Sequence, residues 1–175
     1  LEQLGARITQ DHGYVEAQAP DGLHGSNIRF ERVTVTGTED IMMAAVLARG
    51  ETVLENAALE PEVVDLANLL KKMGALIEGE GTPTIKIQGV DRLRSAHHAI
   101  IADRIEAGTF LIAGLAVGHG LTVTGVHAAH LEAVTEKMSQ AGAEISYPRE
   151  DAIYVEPKEP LRAVDISTQE YPGFP

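Results

Sequence analysis

An internal repeat of nearly 70 residues limits the folds open to this chain more than any other feature of its sequence. Three similar eight-residue segments, LEQLGARI, LKKMGALI and MSQAGAEI, each carry a glycine at the same position. These glycines are Gly5, Gly74 and Gly142, which stand 69 and 68 residues apart. A second pair of segments, GETV at 50–53 and GLTV at 120–123, has almost the same spacing. A fixed period shared by unrelated landmarks indicates duplicated supersecondary units.

Each full unit is predicted to run as helix, strand, helix, strand and strand. In the second helix of the first unit, Val63, Leu66, Ala67 and Leu70 recur at helical spacing and form one apolar stripe. Pro61 suits the first position of that helix, because the N–H that proline lacks would have no partner there. The predicted elements are first helices at 39–49 and 104–117, ended by Gly50 and Gly120; strands at 52–55 and 121–124; second helices from Pro61 to Gly74 and over 130–141 to Gly142; and hairpins that pair 75–78 with 84–88 and 143–147 with 152–156.

Two hydrophobicity patterns indicate how these units pack. The segments 41–48 and 110–117 are apolar all round, so the helices that contain them are expected to be buried on every side. The strand 84–88 alternates apolar and polar residues, so its sheet is expected to have one face in water. We therefore predict an α/β fold of repeated βαβαββ units, an inside-out α/β barrel with buried helices and outer mixed sheets.

Composition and charge exclude several classes of function. The chain has no cysteine, which excludes disulfides, thiolate zinc sites and a cysteine nucleophile within this stretch. The formal net charge is −12 and no cluster of Lys and Arg relieves it, so we expect no nucleic-acid partner. The longest apolar stretches are too short to span a bilayer, so we expect no membrane partner. A small anionic ligand is compatible with this charge, since a few Arg and backbone N–H groups can hold it.

No metal site is predicted. His127 and His130 have i, i+3 spacing and His97 and His98 are adjacent, but zinc needs further ligands on a shared face. Surface or capping roles are therefore expected for these side chains. The loop 79–82 (GEGT) lacks the Lys-Ser/Thr pair and the following helix of a phosphate loop, so we predict a hairpin turn there.

Several segments, placed along the whole chain, are similar to those of the enolpyruvyl transferases. They are VTVTGTEDIMMAA at 33–45, GETVLENAA at 50–58, EPEVVDLANLL at 60–70, DRIEAGTF at 103–110 and YPGFP at 171–175. The resemblance implies the family fold of two domains with three repeats each, joined by two chain crossings, with substrates in the cleft between them. One crossing would fall near 101–103, so 1–101 are expected to be the later part of the first domain and 102–175 the beginning of the second.

The resemblance also implies an activity, that of the branch of the family that acts on a nucleotide sugar. Such an enzyme moves the enolpyruvyl group of phosphoenolpyruvate to the 3′-hydroxyl of UDP-N-acetylglucosamine, in the first committed step of peptidoglycan synthesis. It is cytoplasmic and needs no metal or organic cofactor. The family's general acid is expected upstream of Leu1, and the Asp that takes the hydroxyl proton is expected beyond Pro175. We therefore expect an internal piece of a larger enzyme, inactive without the remainder of its own chain.

By the same resemblance, Arg32, Val33, Thr34, Val35 and Thr36 match the segment that lines the UDP-sugar pocket. Family members often carry Lys, Ser and Gly where this chain has Arg32, Thr34 and Thr36. Physical chemistry supports an anion site here, because a guanidinium, a hydroxyl and the free N–H groups at the amino end of a helix all favour anions. Considered without the resemblance, Arg32 and Thr34 are also compatible with solvent-facing positions in a strand.

Three more charged residues, Glu60, Asp103 and Arg104, match positions that face the family's cleft. We expect them to serve positioning and cleft closure more than proton transfer. Each has a purely structural alternative. Glu60 is compatible with a carboxylate that the helix dipole favours at a helix start, and Asp103 with Arg104 is compatible with a weak surface ion pair.

Two other functions remain open at this stage. The related shikimate-pathway enolpyruvyl transferase shares the fold and the chemistry, but it needs a pocket rich in Lys, Arg and Ser for a small anionic ring. The segment that would line the pocket here holds one cation, Arg32. A non-catalytic repeat scaffold is the other alternative, and it predicts that no small anion binds near Arg32.

Overall fold

The protein folds into two compact units, Leu1–Ala99 and Ile100–Pro175. The computed structural model describes residues 1–158 and 160–175. The expected assignment of 1–101 and 102–175 to two domains of a larger enzyme stays a prediction. The elements in chain order are β1 (Arg7–Asp11), β2 (Tyr14–Gln18), β3 (Asn27–Arg29), α1 (Val35–Ala45), β4 (Glu51–Glu55), α2 (Pro61–Lys72), β5 (Leu76–Glu78), β6 (Thr84–Gln88), α3 (Arg104–Ala116), β7 (Leu121–Thr124), α4 (Glu132–Gln140), β8 (Ala143–Arg149) and β9 (Ala152–Pro157), with short 3₁₀ turns at Glu2–Leu4 and Ala128–Leu131.

The repeat predicted from the sequence is confirmed. The order α1, β4, α2, β5, β6 in the first unit is the same as α3, β7, α4, β8, β9 in the second. The first sheet has the strand order β3-β4-β6-β5, in which only β3 and β4 are parallel neighbours. The second sheet has the order β7-β9-β8 and is antiparallel. The turn Glu2–Leu4 and the hairpin of β1 and β2 form a shorter copy of the end of a unit.

One backbone hydrogen bond recurs in all three copies, at the point where the chain leaves a hairpin and returns to the preceding helix or 3₁₀ turn. The N–H of a basic residue donates to the carbonyl of the residue just before the turn glycine that recurs in each repeat. The three bonds join His24 to Leu4 (2.9 Å), Arg94 to Met73 (2.8 Å) and Arg162 to Ala141 (3.0 Å). Gly5, Gly74 and Gly142 then take φ of 93°, 103° and 106°, the left-handed region that favours glycine. The repeat therefore extends from the sequence to matching backbone contacts.

Helix α1 begins earlier than predicted, at Val35 rather than residue 39, and ends earlier, at Ala45. The reason is that Thr34 caps it: the Oγ1 of Thr34 accepts a hydrogen bond from the backbone N–H of Gly37 (3.2 Å). This bond satisfies one of the N–H groups that the first turn of a helix leaves without an intrahelical partner. Gly37 permits the close approach, because a Cβ there would lie 2.5 Å from Cγ2 of Thr34.

Gly50 and Gly120 do not end helices, contrary to the prediction. Gly118, with φ of 75°, lies just beyond α3, whereas Gly50 and Gly120 directly precede β4 and β7. At Gly120 the reason is packing. A Cβ there would lie 2.1 Å from the hydroxyl oxygen of Tyr154 in β9, so the strand pair leaves no room for a side chain.

Each unit has its own hydrophobic core, but the prediction that 41–48 and 110–117 are buried on every side is wrong. Met42 and Leu111 are fully buried, whereas their neighbours are not. The exposed fractions are 46% for Met43, 53% for Leu47, 54% for Phe110 and 44% for Ile112. The helices pack one face on the sheet and second helix of their own unit, and within the described residues the opposite face stays open. The three sheets are also open, so the described part of the chain forms no closed barrel.

The α/β class and the wet outer face of the first sheet are confirmed. In β6, Ile85 and Ile87 are fully buried, and the residues between and beside them are exposed. The loop 79–82 is the hairpin turn predicted, since it joins β5 to β6 with positive φ at Gly79 and Gly81. Within the described residues, no helix has the length and apolar character needed to cross a membrane.

The cap on α1 gives a stability prediction. Thr34→Ala removes the side-chain acceptor, and we expect it to lower the free energy of unfolding by about 1 kcal/mol. Thr34→Ser keeps the oxygen and should retain most of that stability. Urea denaturation of both variants beside the wild type measures the difference. Equal losses in the two variants would show that Thr34 stabilises the fold through its methyl group and not through the cap.

Candidate functional site

The segment predicted to bind the nucleotide sugar lies at the amino end of α1. Thr34 is the capping residue and Val35 the first helical residue. The side chains of Val33 and Val35 pack against the first core, while Arg32 and Thr36 are exposed. Arg32 and Thr34 belong to no strand, so the structural alternative is wrong about the strand, although Arg32 does face solvent. The two valines anchor the segment on the core, and Arg32 stays accessible to a ligand.

A second segment is held against the start of α1 by two hydrogen bonds. The side-chain amide of Asn56 donates to the carbonyl oxygen of Phe30 (3.0 Å), and the backbone N–H of Ala58 donates to Oγ1 of Thr38 (3.1 Å). Asn56 takes a positive φ of 58°, which turns the chain sharply after β4. Because α2 starts at Pro61, its amino end lies beside the amino end of α1. Two helix amino ends, each with a partial positive charge, therefore border the same region.

Glu60 lies where these two helix ends meet, and it is buried, with 6% of its surface exposed. It occupies the capping position of α2, but its side chain makes no capping hydrogen bond. Its Oε2 is buried and has no hydrogen-bond partner among the described residues. Buried polar atoms in folded proteins nearly always have partners. An orphaned carboxylate oxygen at this position is a ready acceptor for an N–H or O–H group that a ligand or another segment brings.

Glu39 is a further candidate site residue, and no local pattern in the sequence indicated it. It lies in α1, and burial raises the pKa of its carboxyl above the ordinary value of 4.5, with further contributions from Glu62, Asp40 and Glu60. Two of these neighbours belong to the start of α2, so this electrostatic interaction between carboxylates arises only when the two helices pack together. The carboxylates oppose the partial positive charge of the helix ends. Protonation of Glu39 therefore changes the electrostatic potential that a bound anion would meet.

Asp103 and Arg104 lie together at the start of α3 in the second unit. The carboxylate of Asp103 caps this helix, since its Oδ1 accepts from the backbone N–H groups of Ile105 (2.8 Å) and Glu106 (3.1 Å). The guanidinium carbon of Arg104 lies over the ring of Tyr171, 5.1 Å from its centroid. The structure thus gives Asp103 a helix-capping role and gives Arg104 an aromatic neighbour.

One histidine differs from its predicted surface or capping role. The side chain of His98 is only 7% exposed, and its Nε2 lies 2.8 Å from Oδ1 of Asp65. Its Nδ1 lies 3.0 Å from Nζ of Lys72. Both partners are on α2, so His98 fastens the irregular segment after β6 to that helix. Across residues 1–158 and 160–175 there is no group of three or more His, Asp or Glu side chains that could hold a metal ion.

Comparison with known proteins gives relatives over almost the full chain. Two proteins called UDP-N-acetylglucosamine 1-carboxyvinyltransferase are similar: that of Solibacter usitatus is 63% identical over 99% of this chain, and that of Acidobacterium capsulatum is 58% identical over 100%. The matches cover 42% and 40% of those two proteins. This chain therefore spans about two fifths of the length of the curated relatives it matches.

Solved structures support the fold. The enolpyruvyl transferase NikO from Streptomyces tendae superposes with a TM-score of 0.85 at 22% identity, over 99% of this chain and 44% of that one. An EPSP synthase from Acinetobacter baumannii gives a TM-score of 0.65 at 21% identity, over 93% of this chain and 39% of that one. The family model for EPSP synthase (3-phosphoshikimate 1-carboxyvinyltransferase) matches residues 1–175. The resemblance to the enolpyruvyl transferases is confirmed, and the chain belongs to the EPSP synthase family.

Proposed function

We propose that this chain is part of a UDP-N-acetylglucosamine 1-carboxyvinyltransferase, which moves the enolpyruvyl group of phosphoenolpyruvate to the 3′-hydroxyl of UDP-N-acetylglucosamine. The observation that carries the proposal is the 55–63% identity, over at least 99% of the chain, to three relatives of that name. The enzyme would act in the cytoplasm, in peptidoglycan synthesis, without a metal or organic cofactor. The whole protein, and not this chain alone, would carry the activity.

The amino end of α1 would bind the nucleotide sugar. The first N–H groups of a helix have no intrahelical partners, and together with the helix dipole they favour a phosphate group. Thr34 uses its oxygen as an acceptor for Gly37, which leaves its O–H proton free to be donated. Arg32, exposed beside this helix start, adds a guanidinium that can bind phosphate oxygens through two N–H groups. Binding by this segment needs no rearrangement of the cap.

Glu60 would orient a substrate or a neighbouring donor through its orphaned Oε2. The reaction itself adds the sugar hydroxyl to the protonated enol, which gives a tetrahedral ketal, and then eliminates phosphate. The groups that transfer protons in this family are expected outside this chain. Its own residues would therefore bind and position, and they would supply no general acid.

The proposed enzyme also accounts for the open apolar faces of α1 and α3. Met43, Leu47, Phe110 and Ile112 expose large hydrophobic side chains, and contiguous exposed apolar surface is a common sign of a covered interface. Further repeats of the whole protein would cover these faces. The two units would then become parts of two inside-out barrels with buried helices and outer sheets, as expected for the later part of one domain and the beginning of the next.

The shikimate-pathway transferase remains the second candidate, since the matching family model carries that name. The assay that separates the two uses the full-length protein with phosphoenolpyruvate and either UDP-N-acetylglucosamine or shikimate 3-phosphate, and it measures phosphate release. The proposal predicts release with the nucleotide sugar only. Release with shikimate 3-phosphate only would replace it by the second candidate, and release with neither would favour a non-catalytic scaffold.

Arg32→Ala in the full-length protein is expected to weaken the binding of UDP-N-acetylglucosamine by about 1–3 kcal/mol, as for the loss of one charge-assisted hydrogen bond. Arg7→Ala removes an exposed Arg from β1 and serves as the matched control for the loss of one positive charge. Isothermal titration calorimetry measures both affinities. If Arg32→Ala binds as tightly as Arg7→Ala, Arg32 has no place in the pocket.

Glu39→Gln is expected to change the pH dependence of that affinity. Above its raised pKa, Glu39 is ionised and repels a bound anion, so the variant should bind UDP-N-acetylglucosamine about twofold to fivefold more tightly at neutral pH, as for one nearby charge in a high-dielectric surrounding. The gain should shrink as the pH falls through the raised pKa towards 4.5, because the wild-type carboxyl then becomes neutral. Glu78→Gln, an exposed change of the same charge in β5, is the control. A gain that is equal in both variants, or that persists unchanged at low pH, would contradict this role of Glu39.

A further inference from the structure

Three side chains of the first unit, those of Asp65, His98 and Lys72, are joined by hydrogen bonds in a row. Nε2 of His98 lies 2.8 Å from Oδ1 of Asp65, and Nδ1 of His98 lies 3.0 Å from Nζ of Lys72. A lysine ammonium has only donors, so Nδ1 accepts from it, and Nε2 carries the proton that is donated to Asp65. The two neighbours therefore fix both the tautomer of His98 and the orientation of its ring.

This row of side chains runs from the interior of the unit to its surface. The side chains of His98 and Asp65 are 7% and 13% exposed, whereas Lys72 is exposed and its hydrogen bond to His98 lies at the surface. Asp65 and Lys72 are seven residues apart in α2, so they lie on the same face of that helix. The backbone N–H of Arg94 donates to the carbonyl oxygen of Met73 (2.8 Å), which holds the segment that carries His98 against the end of α2.

The order of the three groups is that of an activated nucleophile. A nucleophile within hydrogen-bond reach of a base, with the base oriented by a third group, is the arrangement that activates a hydroxyl, a thiol or an amine. A lysine ammonium has no free electron pair, so it must lose a proton before it reacts. Nδ1 of His98 is placed to accept that proton, and the carboxylate of Asp65 stabilises the resulting imidazolium, the more so because both groups are largely buried.

The neighbouring lysine has different surroundings, although it belongs to the same helical turn. Lys71 forms an ion pair with Glu80, and a carboxylate stabilises the ammonium form without a histidine beside it. Both lysines lie in the last turn of α2, where the helix dipole also favours a cation. Among these two lysines, the described structure therefore gives a base to Lys72 and an ion-pair partner to Lys71.

We propose that Lys72 is a modification site, whose amine is activated by His98 and Asp65 and takes an acyl group from an activated acyl donor, either an acyl phosphate or an acyl thioester. Nδ1 of His98 accepts one proton from Nζ, and the freed electron pair forms a C–N bond to the acyl carbon. The bond from that carbon to the phosphate oxygen or to the thiolate sulfur breaks, and the leaving group takes the electron pair and the second proton of Nζ. His98 then returns its proton to water, and nothing is oxidised or reduced.

This inference is independent of the proposed function, since the reaction needs neither the nucleotide sugar nor phosphoenolpyruvate. Its product is an uncharged amide in the last turn of α2. His98 acts as the base on the reacting nitrogen, and Asp65 is a positioning residue that acts through His98.

The test exposes the folded full-length protein to acetyl phosphate and, in a separate arm, to acetyl-coenzyme A. Mass spectrometry of its peptides measures the initial rate of acetylation at each lysine. Lys72 should react at least about tenfold faster than Lys86, an exposed lysine of β6, a gain below the 10²–10⁴-fold that a positioned base typically contributes in an enzyme. The arm that shows this difference identifies the class of donor. Equal rates at Lys72 and Lys86 in both arms would overturn the inference.

Variants show whether His98 and Asp65 cause the reactivity. His98→Gln keeps an amide N–H that can reach Asp65 but has no basic nitrogen, so the rate at Lys72 should fall to that at Lys86. His97→Gln, a change of the adjacent and exposed histidine, is the matched control and should leave the rate at Lys72 unchanged. Asp65→Asn removes the charge that stabilises the imidazolium, and it should lower the rate at Lys72 about threefold or more.

A rate at Lys72 that stays high in His98→Gln would contradict the inference, because the row of side chains would then only fasten the segment to α2. Loosening of that segment alone exposes Lys72 further and does not slow its reaction, so a fall in rate separates the base from a structural role. Circular dichroism confirms that each variant is folded. If His98→Gln does not fold, Asp65→Asn decides, since an unchanged rate at Lys72 there contradicts the inference.

Discussion

A buried hydroxyl joins the amino ends of two helices in the first unit, and the candidate site depends on it. Oγ1 of Thr38 donates to the carbonyl oxygen of Thr34 (2.7 Å) and accepts from the backbone N–H of Ala58 (3.1 Å). Thr38 is fully buried, so both bonds lie in a region of low dielectric, where losing a partner is costly. The first bond fixes the start of α1 and the second fixes the turn that leads to Glu60. The Thr38 side chain therefore sets how the segment 32–36 is placed relative to the start of α2.

The electrostatics of this region combine opposing terms. The chain carries a formal net charge of −12, and Glu39, Glu60 and Glu62 lie around the two helix ends. The partial positive charges at the amino ends of α1 and α2 and the guanidinium of Arg32 have the opposite sign. At short range, backbone N–H groups contribute more to the local electrostatic potential than charges that are more distant and better screened. An acidic protein can therefore bind an anionic nucleotide sugar, provided that the contacts are few, short and directed.

Local patterns in the sequence predicted most of the fold. The spacing of Gly74 and Gly142 gave the repeat, and Pro61 with its apolar stripe placed the start of α2 correctly, because capping and periodicity depend on neighbours in sequence. The early start of α1 had a local signal as well. Thr34 is a good capping residue, but Gly37 three residues later is a poor helix former, and the close contact between the two becomes evident only in three dimensions.

Contacts between distant residues could not be predicted in the same way. His98 and Asp65 are 33 residues apart, and the raised pKa of Glu39 comes partly from α2. The apolar segments 41–48 and 110–117 show a different difficulty. Their composition indicates burial on all sides, but composition does not say which part of a protein supplies the cover. The segment 32–36 was identified through family resemblance, and the structure adds its capped helix start and places Glu60 near Glu39 of the same helix.

Amide hydrogen exchange of the full-length protein, with and without UDP-N-acetylglucosamine, tests the central claim most directly. If the anion binds at the two helix ends that Thr38 joins, the nucleotide sugar should slow exchange of the backbone N–H groups in 33–37 and 58–62. The outer hairpin of β5 and β6 should exchange as before, which makes it the internal reference. Unchanged exchange in 33–37 at a saturating concentration of the nucleotide sugar would contradict the account.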